Sequence, residues 1–451
     1  MNLLADKTST LYWKFLIPSL LSAAAISVFQ LVDTVAVGQG VGSDGVAAIS
    51  VITPLYGITS FVGVFVGIGA SVPMGIALGE KNKEKYSAYF TASVLLISVL
   101  TVLLWGSLWF YSEEIYRFFG ANERLMPLVK EYGDVIIGCL PFFFSAIYLA
   151  CIVRVDGAPN VAMWAVAASG IFNAVGDYLL VFPFRVGTGM AGAAIATVLG
   201  NAIQVVIFVG YLFSKNCGIR LIKPYSWIRG IQKITVDGFS TGFIDIAYIC
   251  LTILLNNQVM RYGNEISLAV FGTAFTCAST AQRIFNGVGQ AVQPVVSSNL
   301  GAGKHGRIIE FLKFSIVTEL ILGFFLAFIG FAFPEQVLSV FMETTPEILA
   351  AAPSIVKPVF LSLFFTGLGT FSTYYFQSIM KPGLALTAAM LRGILLSGLF
   401  AVVLPFWFGL PGIWYGLVLT EIITFAFAIC FFLITSGELI AKDKRKACSG
   451  K

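Results

Sequence analysis

Apolar stretches of about twenty residues or more recur along this chain from Leu11 to Ile434, with only short polar breaks between them. A helix needs about 20 apolar residues to cross the hydrocarbon core of a bilayer. Inside lipid every backbone N–H and C=O must be satisfied within the spanning element, so only helices and closed barrels are admissible. A barrel would show segments of about 10 residues with alternating polarity, whereas here the apolar runs are continuous. Charge agrees: 11% of residues are charged and 58% hydrophobic, against roughly 25% charged in soluble domains. The chain reads as an all-α integral membrane protein, with membrane lipid as its solvent and no nucleic-acid partner.

The expected spans are 11–38, 46–79, 86–110, 126–152, 160–183, 189–213, 236–260, 266–290, 308–331, 348–378, 384–405 and 410–435. Met1 to Thr10 is polar, and the run from Leu11 is too long for a signal-peptide core, so the first span is expected to direct its own insertion. Of the 28 Lys and Arg, twenty fall on one side of these twelve spans and six on the other. The six are Arg117, Arg124, Lys130, Arg185, Arg261 and Lys357; Arg283 and Arg392 lie inside spans. The positive-inside rule then puts both termini in the cytoplasm of a cell (inner or plasma) membrane protein.

The longest cytoplasmic connection divides the spans into six and six. The expected organisation is a first lobe over 1–214, a linker over 215–235, a second lobe over 236–436 and a basic tail over 437–451. The lobes repeat. Leu78-Gly79 and Leu300-Gly301 each close a span before a basic loop, Pro159 and Pro382 each open one, and Gly189 and Gly409 begin GMAG and GLPG. Six is an even number, so the two pseudo-symmetric six-helix bundles share one orientation, an arrangement common among secondary transporters. Gly63, Gly67 and Gly69 are read as small residues for close helix packing.

A charge within the bilayer is expensive to keep, which makes intramembrane carboxylates functional hypotheses. The spans hold Asp33, Asp177, Asp245, Glu319 and Glu421. Asp33 and Asp177 lie at similar depth in parallel spans. Gln30 precedes Asp33 by about one turn, and Asn173 shares a helix face with Asp177. Two carboxylates meeting in low dielectric cannot easily both ionise, which suits exchange of a proton or ligation of Na⁺ by Asp33 and Asp177. The alternative is that each Asp only hydrogen-bonds a neighbouring helix. The equivalent positions in the second lobe fall near Leu254 and Phe400, so the ion chemistry is expected in the first lobe. Asp245, Glu319 and Glu421 lie deeper, with Arg283 and Arg392 as ion-pair partners in a structural or substrate-path role. Seven scattered cysteines and one histidine, His305, offer no metal-binding spacing and little material for catalysis, so no enzyme is expected. Abundant aromatic residues suit a cavity for flat cationic or amphipathic compounds.

Several segments together resemble one family. LVDTVAVGQGVGSDGVAAIS from Leu31, VGIGASVPMGIALGEKNKEK from Val66, IVRVDGAPNVAM from Ile152 and GIFNAVGDYLLVF followed by GMAGAAIATVLGN are similar to the first half of multidrug and toxic compound extrusion (MATE) transporters. GVGQAVQPVVSSNLGAGK from Gly287, YFQSIMKPGLA from Tyr375 and Arg392 ahead of LPFWFGLPGIWYG resemble the second half. The resemblance spans essentially the whole chain. It implies export of varied, often cationic, small organic molecules by alternating access, driven by H⁺ or Na⁺ influx, with no cofactor beyond that ion. By resemblance, Asp33, Asn173, Asp177 and Thr197 form a cation site, Gln377 joins the substrate-path or structural polar residues, and the protein works as a monomer. Span ten lacks the carboxylate of relatives that bind their ion in the second lobe, while span seven keeps Asp245.

Two other functions compete, a flippase and an integral membrane enzyme, the latter needing a nucleophile, a His/Asp metal cluster or a His-rich loop, against which the single His305 argues. A flippase for a lipid-linked saccharide, in the same superfamily, would need a strongly cationic cavity, for which only Arg283 and Arg392 are available. The major facilitator family expects a Gly-x-x-x-Asp-Arg-like loop between spans two and three, where this chain has Leu78-Gly-Glu-Lys-Asn-Lys.

Overall fold

The computed structural model describes residues 3–182, 188–222, 227–339 and 345–449, without the side chains of Ser43, Asp245, Ile246 and 444–449. Arg185, Lys223 and Lys451, and the side chains of Lys444, Arg445 and Lys446, which entered the charge count, lie outside this set. The described chain is helical throughout, with no strand. Its long helices are α1 (Thr8–Gly40), α2 (Ser43–Gly79), α3 (Lys83–Phe110), α4 in two segments (Met126–Gly138 and Leu140–Val155), α5 (Pro159–Leu180) and α6 (Gly189–Leu212). After the polar connection come α7 (Trp227–Tyr262), α8 (Glu265–Gly301), α9 (His305–Ala332), α10 (Pro346–Ser378), α11 (Pro382–Phe408) and α12 (Leu410–Ser449).

Among the described residues ten of these helices are long and apolar enough to cross a membrane, and the two segments of α4 together make an eleventh. The remaining long helix is α8. It runs 37 residues, well past the expected 266–290, but Thr273, Thr276, Thr280, Gln282, Arg283 and Asn286 interrupt its hydropathy. Its C-terminal part from Gly287 to Asn299 is almost wholly buried, while of those polar residues Thr276 and Arg283 are exposed and the others half-buried.

Span four is not straight. The segments meet at Cys139 with a bend of 55°, where Pro141, in the first turn of the second segment, has no N–H to continue the ladder. The apolar run 126–152 hides this break. The C-terminal stretch, expected as a tail from 437, continues α12 as helix. Lys381 donates to Glu438 at 2.8 Å and His305 pairs with Asp443 at 2.6 Å, fastening that extension to the starts of α9 and α11.

The repeat extends to backbone conformation. Left-handed residues occur at Lys81 and Gly303, at Gly157 and Met380, and at Gly189 and Gly409. The first two pairs end helices in the same way. Asn82 N–H bonds Ala77 O, as Lys304 bonds Asn299 O, Ala158 bonds Val153 O and Lys381 bonds Phe376 O. In each case a shorter bond lies inside the longer one, as in Gly303 N–H to Leu300 O. This is the Schellman stop, which satisfies orphan carbonyls and requires φ > 0 at one residue.

The chain divides into two compact units, one comprising Ile17–Gly242 and the other Leu3–Leu16 with Phe243–Lys451. The helix that opens each half is shared between them. The first turns of α1 belong to unit two, where Asn299 and Arg307 donate to the Leu3 carbonyl, Lys304 to that of Leu4, and Tyr12 Oη to Thr318 Oγ1 at 2.7 Å. The first turns of α7 belong to unit one. There Gly69 and Gly238 let the backbones of α2 and α7 touch, since a methyl on either would overlap the Ile234 or Phe65 carbonyl. Gly63 and Gly67 face Ile147 and Cys151 of α4 with similarly little space.

Of the six Lys and Arg assigned to the side opposite the termini, Arg117 and Lys130 pair with Glu113, Arg117 also with Glu123, and Arg124 with Asp44. The two cations hold the exposed Glu113 carboxyl below its ordinary range.

Candidate functional site

Unit one gathers its polar residues where small residues let helices close up. Gly176 of α5 faces Ala196 of α6, and Gly200 of α6 faces Ser169 of α5. Gly170 of α5 meets the Phe29 ring of α1 so closely that a side chain there would overlap it. Asn173 lies one turn beyond Gly170, and Asp33 one turn beyond Phe29, so that contact sets α1 and α5 face to face. Asn173 Nδ2 donates to Thr197 Oγ1 at 3.2 Å, and Thr197 in turn donates to the Ala193 carbonyl at 3.0 Å. Thr197 is also within hydrogen-bonding reach of the Asp33 carboxyl, and Asp33 and Asp177 lie close enough for their charges to interact.

Asp177 is 1% exposed, and neither of its oxygens has a hydrogen-bond partner among the described residues; Asp33 Oδ1 is likewise unpartnered. A buried carboxylate left this way is costly unless a proton or cation joins it. Two tyrosines that the sequence did not single out complete the group. Tyr56 of α2 and Tyr132 of α4 share a hydroxyl–hydroxyl bond of 2.7 Å, and Tyr56 lies within the field of both aspartates. Gln30 lies three residues before Asp33, and its carbonyl accepts from Thr34 at 2.9 Å.

Unit two contains a different arrangement. A partly open cavity of about 90 Å³ is bordered by Tyr248, Phe275, Gln282, Thr366, Arg392 and Glu421. Arg392 Nε donates to Glu421 Oε1 at 2.8 Å and Nη1 to Thr370 Oγ1 at 2.5 Å, so its partners are now specific. Arg283 lies on the exposed side of α8, close enough to Tyr248 for their charges to interact. Glu319 of α9 is fully buried, and neither oxygen has a hydrogen-bond partner among the described residues. Gln377 is buried in α10, two turns beyond Thr370. The side chain of Asp245 lies outside the described residues. No group of three or more His, Cys, Asp and Glu fit to hold a metal ion occurs among the described residues.

Repeated helical halves, with buried carboxylates in one and a lined cavity in the other, define a multi-pass membrane protein of the kind that moves small molecules or ions. The MatE family model matches residues 18–179 and again 241–403, the second match starting 223 residues after the first. The multidrug export protein MepA of Staphylococcus saprophyticus is 25% identical over 443 residues, covering 97% of this chain and 96% of its own. MepA of Staphylococcus aureus strain MSSA476 is 26% identical, covering 90% and 89%. Among solved structures, an outward-facing multidrug resistance MATE family transporter of the MOP superfamily aligns with a TM-score of 0.90 at 20% identity, covering 97% of this chain and 98% of its own. The chain belongs to the MatE family, whose members are transporters and not enzymes.

Proposed function

We propose that this protein is a multidrug exporter of the cell membrane that trades small organic cations and amphipathic compounds for inward H⁺ or Na⁺ by alternating access, as a monomer with both termini in the cytoplasm. The observation that carries the reading is the group in unit one: two interacting carboxylates, Asp33 and Asp177, with unpartnered buried oxygens beside Asn173, Thr197, Tyr56 and Tyr132. An arriving proton or Na⁺ relieves the repulsion between the carboxylates, so occupancy changes the local energy by more than an exposed group would allow. Asn173 and Thr197 fix where the carboxylates stand. Relatives named as multidrug export proteins cover nearly the whole chain, which supports the substrate class.

A saccharide flippase is disfavoured because Arg392, the cation at the unit-two cavity, is already neutralised by Glu421. Dye efflux from everted vesicles tests the reading, with a pH gradient and a Na⁺ gradient imposed separately. One of the two is expected to drive accumulation; transport indifferent to both overturns ion antiport.

A further inference from the structure

The carboxylates of unit two lie at positions that unit one does not mirror, and the coupling site proposed above makes no use of them. Glu319 on α9 and Glu421 on α12 flank α10, and Arg392 reaches one of them. On α10 the Arg392 guanidinium rests at Thr370. One turn earlier, at Gly367, a Cβ would stand 2.8 Å from Glu319 Oε2, so the missing side chain lets the Glu319 carboxyl lie against the same helix face. The two stations are therefore about 4.5 Å apart along the helix axis, within reach of rotations of a long side chain. Arg392 itself sits in a π-helical segment, Leu391–Leu395, where Ser397 Oγ takes up its carbonyl at 2.6 Å. Such segments recur where a helix serves a function.

We propose that Arg392 is an exchangeable internal cation: an organic cation entering the cavity replaces it on Glu421, the guanidinium moves one turn along α10 onto Glu319, and Glu319 releases a proton. This rests on the reading of the protein as an exporter of organic cations. The step balances. The Arg392–Glu421 ion pair breaks, ligand–Glu421 and Arg392–Glu319 pairs form, and one positive charge enters while one proton leaves to water. Run backwards, a proton taken up by Glu319 returns Arg392 to Glu421 and expels the ligand.

The surroundings suit both ends of the exchange. Glu421 lines the cavity, and its Oε2 has no hydrogen-bond partner among the described residues. Tyr248 and Phe275 border the same cavity as stacked rings 5.4 Å apart, aromatic surface of the kind that attracts organic cations. Glu319 is sealed, so as an ion it needs a counter-charge in contact. The groups facing it are few. Arg392 from α11 is the charge acting on it, with Glu421 of α12 behind that guanidinium, and the Tyr12 phenol from α1 lies close by. Phe285 of α8 and Gly367 of α10 are its neutral neighbours.

The test uses purified full-length protein in weakly buffered detergent solution, a pH indicator, and tetraphenylphosphonium as probe. Wild type should release about one proton per cation bound, and affinity should rise about tenfold per pH unit, as linkage of one proton to one ligand requires. Glu319→Gln should still bind the probe, without proton release and with affinity flat in pH. If Glu319→Gln does not fold, difference infrared spectra in the Asp33→Asn background replace it, and loss of a protonated-carboxyl band on adding the probe is expected there. Undiminished release from Glu319→Gln, or an unchanged carboxyl band, overturns the inference while leaving cation export intact. Absence of any probe binding to wild type would overturn this inference and the export reading together.

Discussion

Charge in lipid is what makes a residue stand out, and residues that work without charge stay hidden. Asp33 and Asp177 are visible from their cost alone, and Asn173 from its spacing to Asp177. Tyr56 and Tyr132 gave no signal, because tyrosine in an apolar span is ordinary; only the folded chain puts their hydroxyls 2.7 Å apart beside the aspartates. Likewise two arginines were on offer to three deeper carboxylates, and only packing shows that Arg392 meets Glu421 while Glu319 has no hydrogen-bond partner among the described residues. Comparing equivalent positions of the repeat missed this cluster, since its carboxylates have no counterparts in the first half. Tyr132→Phe should cost about 1 kcal/mol through the lost hydroxyl bond, seen as a lower unfolding midpoint in detergent. If the hydroxyl only fills space, the midpoint will not move.

Element ends carry the most legible part of the repeat, for a backbone reason. Lys81 and Gly303 occupy the same stop at the ends of α2 and α8, and Gly157 and Met380 the same stop at the ends of α4 and α10. Each pair has a glycine in one half and a side chain at positive φ in the other, where a Cβ costs roughly 1–2 kcal/mol. Lys81→Gly and Met380→Gly are therefore expected to be neutral or stabilising by up to about 1 kcal/mol, and Gly303→Ala to destabilise by about 1 kcal/mol. Thermal melts of the three variants decide it; a destabilised Met380→Gly would show that its side chain packs rather than strains. Less legible were the bend in α4, hidden inside an apolar run, and the reach of α8, whose C-terminal part from Gly287 is buried against other helices. Hydropathy measures contact with lipid and is silent about contact with protein.

At the scale of the whole molecule, the twelve helices follow from length and polarity alone, whereas the sharing of α1 and α7 between the units does not. Leu3–Leu16 joins unit two through side-chain bonds to its main-chain carbonyls and through Tyr12, contacts that leave no periodicity to read. The asymmetry of Lys and Arg does predict orientation. In a cysteine-free background, single cysteines placed within 215–233 should resist membrane-impermeant thiol reagents in intact cells and react in everted vesicles. Labelling from outside would reverse the topology and with it the direction of ion entry.

Coupling of ion entry to export depends on the unit-one carboxylates acting together. The direct measurement is ion-gradient-driven substrate uptake into proteoliposomes by wild type, Asp33→Asn, Asp177→Asn and the double variant, each checked for normal folding. Asparagine is nearly isosteric with aspartate, so packing survives while the titratable charge is lost. Members of one shared site are not additive, so each single variant should lose coupled uptake to about the extent of the double. Wild-type uptake by Asp33→Asn, or losses that simply add, would contradict the account.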